Sequence, residues 1–509
     1  MGPAGTHSRA PLLAALILLA LSVAGPFPAS AQTDLWRYTA SQDIRLLQLT
    51  PFGTVVVVSD TMIVALDPET GNVAWRYRPQ RLGLASGPDT LDRLRLLGRT
   101  GLAIQYDVIL DVATGEKRWG VADLLGRKWL RLWDQPERGI VYVLGESTQK
   151  DLALAAAELA TGRVLWRRDS LFVDPSGRRR RGPGLASKGA LWHDTDTTLV
   201  LFPTGGPIMR LHAGTGRELW RADSTWPRDA ALSCGHALSM DGRLLFPCRD
   251  RLLAVDAATA RVLWYQGESF PSMIHQMELT SRGLVVKGSG YREGIMSHRG
   301  DSFLAILDPS SGATRLLQTW PSLVGFTPFF VQGDSVYAVM AAKVTKIALV
   351  DGGVRELAST LFEAREEPEA IEPLADGLLL RSSQNLTLVG DSGVRYHRFY
   401  SAPLAYSFTE QLRGSLVGFR GPISNYADPE LLHSASRHTI NAVEFAYIFT
   451  EKPDSSGRRG FSLVQVRKAD GRETGRVWIT DRRPQFVLNP FTGTVFVRVG
   501  DREVAARRF

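Results

Sequence analysis

The residues of this chain that could do chemistry are few and widely spaced. The segment Trp192-His193-Asp194-Thr195-Asp196 sets one histidine among carboxylates, which are groups that can ligate a metal. His433 and His438 are five residues apart, a poor helical spacing for sharing one metal. The chain lacks the nucleophile-elbow, zinc-protease and phosphate-loop motifs. We therefore predict that His193 lies in a loop, and we assign no catalytic, cofactor-binding or metal-binding residue.

Two cysteines, Cys234 and Cys248, flank Met240-Asp241-Gly242, a sequence typical of a tight hairpin turn. With Asp241 at the midpoint, the cysteines would lie opposite each other on neighbouring strands. An exported protein folds in an oxidising compartment. The pair is therefore predicted to form a structural disulfide, and two buried free thiols are the alternative.

The most concentrated charge lies in PSGRRRRGPG, where four arginines are flanked by glycine and proline. These residues are Arg178, Arg179, Arg180 and Arg181. A solvated loop is the simplest interpretation, and contact with anionic lipid or an acidic partner is the functional one. The formal net charge of +8 favours such partners over nucleic acid for an exported protein.

The first 31 residues resemble a secretory signal. Arg9 precedes an apolar run from Pro11 to Ala24, and Ala29-Ser30-Ala31 matches a small-x-small cleavage pattern. A mature start at Gln32 and a periplasmic or secreted location are predicted, with an uncleaved membrane anchor as the alternative. No cysteine follows the cleavage pattern, which disfavours lipid attachment.

An internal repeat dominates the rest of the chain. Its first unit reads Ala-x-Asp-x-x-Thr-Gly-x-x-x-Trp and ends at Trp75, and four further units follow with a similar ending. The five tryptophans are Trp75, Trp119, Trp166, Trp220 and Trp264. We interpret them as structural residues that pack each repeat on the next, because their spacing is too regular for one ligand's stacking set.

Weaker copies continue the repeat towards the C-terminus. Leu316, Leu357 and His397 occupy the tryptophan position in three of them. A further unit ends near Trp478, with either Asp470-Gly471 or Thr474-Gly475 as its turn.

Each unit contains four short β-branched and apolar runs separated by turn residues. A repeat of this length and content predicts an all-β propeller of four-stranded antiparallel blades. We expect about 8–10 blades, as one large ring or as two smaller propellers. The predicted parts are regular repeats (41–320), degenerate repeats (321–400), an irregular blade with an insertion (401–480) and a closing blade (481–509 with 32–40).

The two ends of the chain hold complementary partial blades. Leu35-Trp36-Arg37-Tyr38 is similar to the last strand of the first full unit, whereas the C-terminal segment reads as three strands without a tryptophan strand. We therefore predict that the N-terminal strand completes the last blade and removes exposed sheet edges. A simple leader strand is the alternative.

The eleven-residue motif resembles the tryptophan-docking motif of the pyrroloquinoline quinone (PQQ)-like propeller repeats. That family includes quinoprotein alcohol dehydrogenases and non-enzymatic envelope assembly factors. For the enzymes, the resemblance implies an adjacent Cys-Cys pair, calcium ligands and a catalytic Asp. Cys234 and Cys248 are not adjacent, and no position here can be assigned to those ligands.

The resemblance therefore favours a non-catalytic scaffold with no cofactor. Such a scaffold would be a monomer that binds a protein or another ligand in the cell envelope, with a possible peripheral contact to anionic membrane. The alternatives are a PQQ-dependent oxidoreductase and a hydrolase or sensor whose site has no recognised motif.

Overall fold

The computed structural model covers most of the chain after the predicted signal. It describes residues 33–50, 52–78, 95–97, 100–105, 108–125, 129–146, 152–169, 171, 190–202, 207–222, 225–227, 234–289, 291–293, 297–320, 327–340, 343–359, 368, 370–382, 384–401, 439–441, 443–454, 456–457, 459–479 and 485–509. Among these residues, no helix is long and apolar enough to cross a membrane.

The strands form ten four-stranded antiparallel sheets, which are the blades of one ring. The first five blades comprise β2–β21: β2 (Ile44–Leu49), β3 (Val55–Ser59), β4 (Ile63–Leu66), β5 (Val73–Tyr77); β6 (Arg95–Leu96), β7 (Leu102–Gln105), β8 (Val108–Asp111), β9 (Lys117–Gly120); β10 (Trp129–Gln135), β11 (Ile140–Glu146), β12 (Leu152–Glu158), β13 (Val164–Arg168); β14 (Ala190–Thr195), β15 (Thr198–Phe202), β16 (Met209–His212), β17 (Glu218–Arg221); β18 (Leu238–Met240), β19 (Arg243–Cys248), β20 (Arg251–Asp256), β21 (Val262–Tyr265).

The last five blades comprise β22–β42 and the first strand: β22 (Met273–Thr280), β23 (Gly283–Ser289), β26 (Ser302–Leu307), β27 (Thr314–Trp320); β28 (Phe330–Gln332), β29 (Ser335–Met340), β30 (Lys343–Ala348), β31 (Val354–Ser359); β32 (Ala370–Leu374), β33 (Gly377–Arg381), β34 (Asn385–Gly390), β35 (Gly393–Phe399); β36 (Thr439–Asn441), β37 (Phe445–Thr450), β38 (Phe461–Arg467), β39 (Glu473–Ile479); β40 (Phe486–Asn489), β41 (Thr494–Val499), β42 (Glu503–Arg508), β1 (Trp36–Thr39).

Three short elements lie outside this pattern. A small hairpin, β24 (Tyr291–Glu293) with β25 (Ser297–Arg299), is inserted in blade 6. A one-turn helix, α1 (Ala122–Leu125), follows blade 2, and a 3-10 turn (Pro136–Arg138) joins the first two strands of blade 3. The prediction of an all-β propeller of 8–10 blades is therefore confirmed, with ten blades in a single ring.

The repeated motif joins each blade to the next. In blade 1, Asp67 Oδ1 accepts hydrogen bonds from the backbone of Glu69 (3.0 Å) and Thr70 (2.8 Å). The hydrogen bonds from Thr70, followed by that from Glu69, hold the pKa of the Asp67 carboxyl below its usual range. Gly71 closes the turn with a φ of +72°, where a side chain would be strained.

The tryptophans of blades 1, 2, 3 and 5 cover the turn glycine of the following blade, and the turn after blade 4 has Ala260 in the place of that glycine. A methyl group built on Gly115 would lie 2.5 Å from the Trp75 ring, so only glycine fits beneath the indole. Trp75 Nε1 also donates to Val112 O at 2.9 Å. The corresponding bonds are Trp119 to Leu159 O (3.0 Å), Trp166 to Ala213 O (2.6 Å) and Trp220 to Ala257 O (2.7 Å).

The ring closes through the first strand. β1 pairs with β42 and places Trp36 opposite Ala506. Trp36 Nε1 donates to Pro68 O at 2.9 Å, and its ring covers Gly71 of blade 1. The N-terminal strand therefore completes the last blade, as predicted, and Trp36 makes the same two contacts as Trp75, Trp119 and Trp166.

Two assignments in the degenerate half are corrected. Tyr396, rather than His397, covers the next blade, since its hydroxyl donates to Lys468 O at 2.5 Å and its ring lies over Gly471. The turn of blade 9 is Asp470-Gly471, and Thr474-Gly475 lies within β39. Leu316 does replace tryptophan, because its side chain lies over Gly352 of blade 7.

Antiparallel order gives the ring two different faces. The turns that join the first to the second strand and the third to the fourth strand lie on one face, here called the hairpin face, which includes 50–54 and 67–72. At the other face, here called the connection face, the last strand of each blade ends and the first strand of the next blade begins. The chain between these strand ends is longest at 78–94, 169–189, 222–237 and 400–438.

Candidate functional site

The two faces differ in how much chain they carry. On the hairpin face, the longest turns are six residues, as between Leu66 and Val73. On the connection face, the chain between Phe399 and Thr439 is far longer than the seven residues (266–272) that suffice to join blades 5 and 6. Long segments that a rigid scaffold positions are common binding elements. The connection face is therefore the candidate functional surface.

Ser401 begins the longest of these segments and is fixed to the neighbouring blade. Its carbonyl accepts hydrogen bonds from Glu451 N (2.8 Å) and Thr450 Oγ1 (2.7 Å) at the end of β37. Glu451 is exposed there, beside the turn that joins β37 to β38. The base of the segment is thus held in a defined position on blade 9.

The cysteine pair lies at the same face of blade 5. Cys234 and Cys248 form a disulfide, and both are buried. The hairpin turn is centred between Asp241 and Gly242, because Met240 pairs with Arg243. Cys234 still lies opposite Cys248 as an isolated bridge. The bond closes the base of segment 222–237, and its structural role stays a prediction.

The titratable side chains of the segment 192–196 have different contacts. They belong to His193, Asp194 and Asp196. His193 lies within β14 rather than in a loop, and its Nε2 is 3.0 Å from the Tyr142 hydroxyl of blade 3. Burial, followed by the charge of Arg138, lowers the pKa of His193. Burial raises the pKa of Tyr142 to about 12. Asp196 pairs with Arg138 at 2.6 Å on the hairpin face.

Asp194 is the buried member of this segment. Its side chain is fully buried, and its Oδ2 lies 2.7 Å from Arg210 Nη2 on β16. Thr198 Oγ1 donates to Asp194 Oδ1 at 2.7 Å. Arg210 Nη1 donates at 2.5 Å to Ala257 O, the carbonyl that also accepts from Trp220. The ion pair therefore joins blade 4 to blade 5.

The repeat itself indicates this ion pair, because one unit has a charged residue at a position where other units have alanine. Arg210 stands where units one, three and five have Ala65, Ala156 and Ala254 opposite their tryptophans. A charged residue at a position that faces a buried ring needs a buried counter-charge. Among the described residues, no group of three His, Cys, Asp or Glu side chains is placed to hold a metal.

The residues present do not fit a bound quinone in the way that the resemblance implies. The cysteines are buried in an inter-strand disulfide within blade 5, where they cannot cover a cofactor as an adjacent pair would. Six of the residues considered above lie outside the described residues. They are Arg178, Arg179, Arg180, Arg181, His433 and His438. The described residues that flank the arginines, 171 and 190, lie at the connection-face ends of β13 and β14.

Residues 204–355, which run from between β15 and β16 of blade 4 into β31 of blade 7, match a family model described as "Outer membrane protein assembly factor BamB". This match confirms the predicted resemblance to the PQQ-like propeller repeats. No curated protein matches the chain.

Three solved structures resemble the chain at low identity. The computationally designed Ika8 protein is 13% identical with a TM-score of 0.37, covering 71% of this chain and 97% of its own. BamB from Moraxella catarrhalis is 11% identical with a TM-score of 0.31, covering 94% and 100%. The quinohemoprotein alcohol dehydrogenase ADHIIG from Pseudomonas putida HK5 is 14% identical with a TM-score of 0.33, covering 77% and 82%.

Proposed function

We propose that this protein is a non-catalytic scaffold of the cell envelope that binds a protein partner through its connection face. The observation that carries the proposal is the contrast between the short turns of the hairpin face and the long segments of the connection face. Buried contacts between blades make the ring a rigid support for those segments. The family model's description as an outer membrane protein assembly factor supports the envelope location.

The predicted signal at residues 1–31 is part of the same proposal. Export after Ala31 would place the propeller in the periplasm or outside the cell. The Cys234–Cys248 disulfide is consistent with an oxidising compartment. A partner of this surface would approach the side of the ring on which Ser401 and Glu451 lie.

Site-specific photo-crosslinking tests this proposal. A benzophenone amino acid at Glu451, an exposed position at the base of segment 400–438, is expected to give a discrete crosslinked product in the envelope. The same amino acid at Glu69, exposed on the hairpin face, is the matched control and should give none. Replacing residues 403–437 with a seven-residue Gly-Ser linker should remove the product.

Three results would count against the scaffold. They are an unchanged product after the replacement, no product at Glu451, or an equal product at Glu69. Dye reduction on adding PQQ and calcium to the purified protein would instead favour an oxidoreductase. Because Glu451 and Glu69 lie outside the strands, circular dichroism should remain unchanged in these two variants.

A further inference from the structure

One junction between neighbouring blades has a smaller apolar core than the other nine. Among the described residues, each junction holds one hydrophobic cluster, and nine of these clusters contain 8 to 15 buried residues each. The cluster between blades 7 and 8 contains five, and the side chains around it, such as Leu357, are only partly buried. Its members are Val339, Val344, Leu378, Leu380 and Val389. Burial therefore stabilises this junction less than any other.

The contact that docks one blade on the next also differs at this junction. Between blades 6 and 7, the Leu316 side chain still lies over Gly352. Blade 8 instead has Gly393 after a two-residue turn, and a methyl group built on it would meet open space. Blade 7 reaches that turn through the exposed Arg355, whose Nη2 donates to Asp391 O at 3.5 Å. A hydrogen bond of this length from an exposed side chain adds little stability.

The surface of blade 8 that meets blade 7 contains buried polar groups. Leu386 and Leu388 of β34 pack towards blade 9, so the alternation of the strand directs Asn385 and Thr387 towards blade 7. Both are buried. Thr387 Oγ1 lies 2.8 Å from His397 Nδ1, whereas Asn385 Oδ1 has no hydrogen-bond partner in the described part of the chain. An unpaired buried oxygen destabilises the closed junction, and contact with water removes that cost.

We propose that the ring opens reversibly at the junction between blades 7 and 8. Opening there breaks no strand pairing, because each blade is a separate four-stranded sheet. The seam, where β1 completes blade 10, stays closed, since Trp36 covers Gly71 and donates to Pro68 O. β35 of blade 8 leads into Ser401, so opening moves the base of segment 400–438 relative to blade 7. The proposal does not depend on which partner binds the connection face.

Thiol labelling of the folded protein tests this opening. Val339 and Val336 both lie in β29 and are 2% and 0% exposed, but Val339 packs towards blade 8 and Val336 towards blade 6. Each is replaced by cysteine in the full chain, where Cys234 and Cys248 are already bonded to each other. Val339→Cys should react with dithionitrobenzoate about tenfold or more faster than Val336→Cys. Unfolding of the whole blade would expose both positions equally.

Two further comparisons complete the experiment. Val57 is 2% exposed and packs towards blade 10, so Val57→Cys is the control for the seam and should react as slowly as Val336→Cys. Val344→Cys and Ile347→Cys repeat the comparison in β30, towards blades 8 and 6 respectively. This second pair decides the result if a variant of the first pair does not fold.

Three results would overturn the proposal. The first is a rate towards blade 8 that is equal to or lower than the rate towards blade 6. The second is a faster reaction at position 57 than at position 339, which would place the opening at the seam. The third is a rate at position 339 that rises with urea as steeply as global unfolding, because opening one junction exposes little surface.

Discussion

Replacing Trp36 with alanine is expected to lower the free energy of unfolding by about 3–5 kcal/mol, the usual cost of removing a buried tryptophan. Trp36 is 9% exposed, contacts Phe496 with ring centroids 5.6 Å apart, and hydrogen-bonds to Pro68 O of blade 1. It joins the last blade to the first. Urea unfolding followed by circular dichroism measures the change.

Leu35→Ala is the matched control for this substitution. Leu35 precedes Trp36, and its side chain is 52% exposed, so the expected change is within about 0.5 kcal/mol. Equal stability of Trp36→Ala and the unmodified protein would show that β1 is a dispensable leader strand rather than part of blade 10.

Replacing Asp194 with alanine is expected to cost about 3–5 kcal/mol, because the substitution leaves the Arg210 charge buried without its partner. The Asp194 side chain is fully buried and that of Arg210 is 11% exposed. The double variant Asp194→Ala/Arg210→Met should recover most of the loss, since it removes both charges. Denaturant unfolding of the single and double variants measures both effects.

Asp196→Ala supplies the control two residues away. Asp196 also pairs with an arginine, but its side chain is 93% exposed, and exposed pairs contribute about 0–1 kcal/mol. A loss at Asp194 no larger than that at Asp196, or a double variant as unstable as Asp194→Ala, would contradict the role assigned to the buried pair.

The regular half of the propeller could be predicted because its contacts depend on residue types at fixed spacing. Gly115 must be glycine because the Trp75 ring occupies the space of a side chain. The degenerate half keeps the contact and changes the residue. Tyr396 hydrogen-bonds through its hydroxyl instead of an indole nitrogen, and the spacing of the tryptophan motif therefore indicates the neighbouring His397.

The functional surfaces were less predictable. The sequence shows Pro-Phe in two turns at opposite ends of the chain, but only closure of the ring brings Gly53 of one turn beside Asn489 of the other. The ion pair of Asp194 and Arg210 likewise depends on the register of β14, β15 and β16, which sets the facing side chains. The long connection segments were visible in the sequence, whereas the placement of the strand ends that they join on one face follows from strand order.

Closure of the ten-blade ring by the first strand is the central claim, and an engineered disulfide tests it most directly. Thr39 and Glu503 are opposed partners in β1 and β42. Thr39→Cys/Glu503→Cys should form a disulfide on mild oxidation, detected by mass spectrometry of the linked peptides. Thr39→Cys/Thr494→Cys should form none, because Thr494 pairs with Arg508 rather than with β1. No linkage between positions 39 and 503 in the folded protein would contradict the closed ring.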